Sequence, residues 1–154
     1  MTNADRITRD MRPDNVLALE AEIRHDRDCG VVHIRIGHAA ESRGRSSKVL
    51  ADEFVERIGL TPIGKEWRGI DYHEAGQLII HFLGNGLVFD EPLMPPERAE
   101  KLSEYVLALA EPNAAFLTNI SEADEYNRPG WFSLTNSTFD HGVVFLGKHT
   151  SGII

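Results

Sequence analysis

The apolar residues of this chain come in short runs whose period changes along its length, and that change restricts the fold more than any other feature of the sequence. Alternating runs favour strands, and runs with a period of about 3.6 favour helices. The order of the runs therefore sets the fold class. No run approaches the ~20 apolar residues that a helix needs to span a bilayer.

Residues 1–13 are polar and charged and end in Pro13, which predicts a flexible N-terminal tail. A single domain is expected over 14–154. From Val16 to His25, Leu17, Leu19, Ala21 and Ile23 alternate with Ala18, Glu20, Glu22 and Arg24. This predicts a half-buried strand, although Ala, Leu and Glu also favour helix. The polar turn 26–30 leads into a second alternating run, VVHIRI, and the two read as a hairpin. A helix is expected from Ser47, with Leu50, Phe54 and Ile58 on one face and Gly59 as its stop. The stretch 61–76 reads as a linking region around Trp67 with room for a short strand.

Leu78 to Leu83 is apolar on both faces, which predicts a central strand. Gly84-Asn85-Gly86 would turn it into a second hairpin with Leu87 to Phe89. Pro95-Pro96 opens another helix, with Glu97 and Glu100 near its positive end and Leu102, Val106 and Leu109 as its apolar stripe. The segments AAFLTNI, WFSLTNSTF and HGVVFLG read as strands. Gly152-Ile153-Ile154 is either a last strand tucked into the sheet or a frayed end. The expected fold is α+β: one domain, a mostly antiparallel sheet built from hairpins, and two helices packed on one face.

Charge is unevenly spread over the 154 residues, whose formal net charge is -8. Residues 1–50 are near neutral, and the remainder carries the acid. Such an asymmetry bears on partners and solubility, not on fold. It argues against nucleic acid, which a strongly acidic surface repels. The single cysteine, Cys29, cannot form an internal disulfide and points to a reducing compartment. It sits in an Asp-Arg-Asp-Cys-Gly turn, where Asp26 and Asp28 disfavour the thiolate that a reactive cysteine needs and only Arg27 and His25 oppose them. The opening MTNADRITRDMRPD has no apolar stretch of the secretory kind, so a cytoplasmic location is expected.

The chain has no Gly-x-Ser-x-Gly elbow, no nucleotide-binding loop and no pair of histidines at the spacing of a zinc helix. The tightest polar cluster is Asp71-Tyr72-His73-Glu74, with His81 beyond it. If extended, it would place Asp71 and His73 on one face. A carboxylate beside an imidazole can move a proton or hold a divalent ion. Arg43 to Lys48 is a basic loop ahead of a helix start, suited to an anion. Glu97, Glu100 and Glu104 recur at spacings of three and four and form an acidic ridge on one helix. Glu122, Asp124 and Glu125 crowd one loop, and Trp131 follows Pro129-Gly130 as a candidate aromatic anchor.

These features favour a small, acidic, cytoplasmic binding protein without enzymatic activity or cofactor. Glu97, Glu100, Glu104, Glu122, Asp124, Glu125 and Trp131 would meet a basic protein partner, as an inhibitor or immunity-type protein occludes its target. The alternative is a small metal-dependent or acid–base hydrolase. It would use His73 and Glu74 as catalytic groups, or Asp71, His73 and His81 as metal ligands. A homodimer through an unpaired strand edge is a further expectation; membrane association is not expected.

Overall fold

The computed structural model describes residues 14–27, 32–41, 43–85, 92–122, 130–135 and 141–154. The chain forms α1 (Asp14–Asp26), β1 (Arg35–His38), α2 (Ser47–Arg57), a single 3-10 turn (Gly64–Glu66), β2 (Arg68–Ile70), α3 (Tyr72–Gly84), α4 (Pro96–Leu107), β3 (Ala115–Thr118), β4 (Val143–Leu146) and β5 (Thr150–Ile153). The five strands pair antiparallel in the order β1-β5-β4-β3-β2. The α+β class expected from the sequence is therefore what the chain adopts.

Side-chain alternation along the sheet explains the layering. Phe116 pairs with Phe145, and the next residues, Leu117 and Val144, also pair. Phe116, Val143 and Phe145 pack against Val16, Leu19 and Ile23 of α1, Ile79 and Leu83 of α3, and Leu102 and Val106 of α4. Leu117, Val144 and Ile153 point the other way, into a smaller core with Ala51, Phe54 and Val55 of α2 and with Trp67. The two helices expected on one face thus lie on opposite faces, and two helices that were not expected complete the larger layer.

Those two helices replace strands. The alternating run at Val16–His25 is α1, not the first arm of a hairpin. Its buried residues, Val16, Leu19, Glu20 and Ile23, are spaced by three, one and three, which is one helical stripe. Glu20 is buried there because its carboxylate accepts the Ile34 amide at 2.7 Å and meets Arg35 and Arg24, both at 3.2 Å. Strand β1 begins only at Arg35, past most of the VVHIRI run. The expected central strand at Leu78–Leu83 is the second half of α3. It is apolar on several sides because the sheet lies beneath it and α4 beside it.

Helices α3 and α4 run antiparallel in close contact. A β-carbon on Gly84 would lie 3.4 Å from Ala99, and one on Gly76 would lie 3.4 Å from Leu107. Ser103 donates to the Gly76 carbonyl in the same seam. Small side chains on both helices permit this approach. On the other flank of α4, Arg98 binds Asp26 at 2.6 Å and also Glu22, tying α4 to α1.

The expected helix from Ser47 is present as α2. Ser46 caps it by accepting from the Val49 amide, and Gly59 follows it at φ +88°, where other residues are strained. The final residues form β5, as one of the two expectations for them had it. In the WFSLTNSTF segment, Trp131 makes an isolated bridge to Ile120, and residues 136–140 lie outside the described residues. The expected tail at 1–13, the turn cysteine Cys29 and the return arm Leu87–Phe89 also lie outside them. No helix among the described residues is long and apolar enough to cross a membrane.

Candidate functional site

The outward side of the α1–α4–α3 layer carries the acidic ridge. Glu97, Glu100 and Glu104 are all exposed on α4. They lie on the side of the helix nearer α3, one step outward from Ala99, Ser103 and Leu107, which face that helix. None of the three has an ion pair or side-chain hydrogen bond among the described residues. Lys101 and Tyr105 share the outer surface, and Tyr105 is 46% exposed. On the flank toward α1, by contrast, Arg98 matches Asp26 and Glu22. The guanidinium of Arg98 bonded to Asp26 holds that carboxyl below its ordinary range, with a smaller contribution from the His25 bond.

Across α3 from the ridge is a cavity of about 390 Å³. Its walls come from β2 (Arg68), α3 (Glu74, Leu78, His81 and Phe82), the segment that follows β3 (Ile120, Ser121 and Glu122) and His141 before β4. Glu74, Leu78 and His81 line it together because spacings of four and three keep them on one helical stripe. Arg68 is held in the wall: its Nε donates to the Ile120 carbonyl at 2.9 Å, and its Nη1 donates to Glu74 Oε1 at 2.7 Å. Ser121 Oγ accepts from the Gly130 amide at 3.1 Å. The His141 ring lies 5.8 Å from Phe82 and 5.2 Å, edge to face, from Trp131. Two aromatic rings, Phe82 and His141, thus line one side of the cavity, with Trp131 behind His141.

The structure divides the Asp71/His73/Glu74/His81 cluster. Asp71 caps α3, its Oδ1 accepting the Glu74 amide at 2.7 Å. A helix cap with an acidic residue three positions on is a helix-start signature, and it accounts for the spacing that resembled a metal or acid–base site. His73 is exposed on the first turn of α3. Glu74 and His81 do reach the cavity. No group of three His, Cys, Asp or Glu side chains among the described residues is placed to hold a metal ion.

The other candidates are distributed as follows. Glu122 is exposed at the cavity, and Trp131 is half-buried behind it. Asp124 and Glu125 lie outside the described residues. Trp67 is core: it is 1% exposed, and its Nε1 donates to Asp52 at 2.7 Å. In the basic loop, Arg45 pairs with Glu53, and Lys48 donates to the Lys65 carbonyl. Sequence reasoning passed over Arg68 and gave His141 little weight. Their convergence depends on β2 preceding α3 and on β4 lying beside β3, which no local spacing encodes.

Comparison with protein-family models, with characterised proteins and with solved structures gives no match.

Proposed function

We propose that this chain is a non-enzymatic binding protein whose acidic α4 ridge docks a basic protein partner, in the manner of an inhibitor or immunity-type protein. The observation that carries this reading is the state of the α4 ridge. Glu97, Glu100 and Glu104 are exposed side by side and form no ion pair among the described residues, with Lys101 only partly offsetting their charge. The neighbouring Tyr105 offers an aromatic contact of the kind that dominates interface energetics. Glu97 and Glu100 are favoured by the positive end of the helix, but three like charges side by side also repel one another, and the strip they form is open to an incoming cation. Carboxylates at an interface rim speed encounter and select partners of opposite charge.

The test is capture of partners from native lysate on the immobilised protein, compared with a variant carrying E97Q, E100Q and E104Q. A basic protein should be retained at low salt and released at high salt, because exposed charges are screened. The variant should retain it at least tenfold less well. Equal retention by both proteins would exclude the ridge as the docking face.

A further inference from the structure

We infer that the cavity between α3 and the end of β3 receives a cationic side chain of the docked polypeptide, an arginine in preference to a lysine. This rests on the docking reading above but on different residues. Its walls offer what a long basic side chain needs. Leu78, Phe82 and Ile120 provide apolar surface for the methylenes. The Phe82 and His141 rings provide flat aromatic surface on which a guanidinium stacks, and Trp131 packs edge to face behind His141. Glu122 provides the carboxylate, Glu74 being engaged by Arg68.

The cavity also contains a cation, Arg68, but its charge is matched. Glu74 takes its Nη1 and the Ile120 carbonyl takes its Nε, so Arg68 fixes Glu74 in place. Glu122 is exposed and without an ion pair among the described residues, and it gives the cavity an excess negative charge. A volume of about 390 Å³ is enough to admit one long side chain. His81 lies on the exposed strip of α3 between the cavity and the ridge. A polypeptide crossing α3 could therefore engage both.

The experiment is chemical-shift mapping on the 15N-labelled protein with four capped amino acids: N-acetyl arginine, lysine, norleucine and glutamate methylamides. Arginine should bind in the millimolar range and shift the amides of Leu78, His81, Ile120, Ser121 and Glu122. Lysine should bind more weakly, and norleucine and glutamate should leave these amides unmoved. The exposed substitution E122Q should weaken arginine binding about two- to fivefold, as loss of one partly exposed charge pair does. E122K should abolish it. The idea is overturned if norleucine binds as well as arginine, if glutamate binds better through Arg68, or if none of the probes moves these amides. Agmatine, with a free ammonium in place of the peptide backbone, separates the sources: binding more than tenfold tighter than capped arginine would mean a small-molecule amine site. None of these failures affects the α4 ridge, whose triple Gln variant reads the docking surface alone.

Discussion

Glu20 illustrates how a single residue can look like surface in sequence and be core in the fold. In an alternating reading it takes the wet side of a strand. In α1 it falls on the apolar stripe beside Leu19 and is only 4% exposed. Its carboxylate satisfies the buried Ile34 amide and pairs with Arg35 and Arg24, so it joins α1 to the segment entering β1. Removing it strands a buried N–H donor, a loss of about 1–3 kcal/mol. We predict that E20A lowers unfolding free energy by about 2–3 kcal/mol in urea titration. E20Q keeps an acceptor for Ile34 and should lose clearly less. Equal losses would show that the amide bond contributes little. Asp52 has a comparable place under α2, accepting from the Ile63 and Gly64 amides and from Trp67 Nε1. Neither role can be read from local sequence, because the amides that each carboxylate holds are eleven or more positions away.

At the scale of elements, the sequence identified α2, α4, β3 and β4 through periodicity and punctuation, left β5 as one of two readings of the final residues, and failed at α1 and α3. The reasons differ. In α1, apolar and polar residues alternate while also satisfying a helical stripe, and helix propensity decides between the two. In α3, the continuous apolar run fits a buried strand as well as a helix enclosed by the sheet and α4, so periodicity cannot arbitrate. The deciding signal was present at Asp71 and Glu74, read there as chemistry and not as a helix start. The sheet has its own marker in Gly152, the cross-strand partner of Phe145. A β-carbon at Gly152 would lie 2.1 Å from Phe145 Cζ, so the ring occupies the space that glycine leaves. We predict that G152A destabilises by about 1–3 kcal/mol through overpacking. In F145L, which removes the ring, the same change should lose much less. A double-mutant cycle with no coupling would refute the packing account.

For the whole molecule, the acidic remainder of the chain is not one undivided field. Asp52, Asp71, Glu74 and Glu111 hold amides, caps and an arginine in place, and Glu53 pairs with Arg45. The acid of the described residues that forms no ion pair includes the α4 ridge and Glu122, on which the proposed docking face rests. The engaged carboxylates also govern response to pH. Partial burial alone would raise the Glu111 carboxyl. The His149 amide, the Thr150 hydroxyl and the Thr150 and Lys148 amides outweigh it, and the group is held below its ordinary value of 4.5. A carboxyl with a depressed folded pKa contributes stability above its unfolded value and loses it as pH falls through the lower folded one. Asp26 works in the same direction from its ordinary value of 3.8. Because Glu111 joins the end of α4 to the β4–β5 hairpin, its protonation loosens a link between the helical layer and the sheet. We predict that the protein is destabilised progressively as pH drops below about 4.5, with E111Q less stable than the wild type at neutral pH. The two should converge in the acid range, where both carry an uncharged group at this position. Urea midpoints measured for both proteins from neutral pH into that range test this, and a stability difference that stayed constant throughout would show that the charge of Glu111 has no part in holding the hairpin.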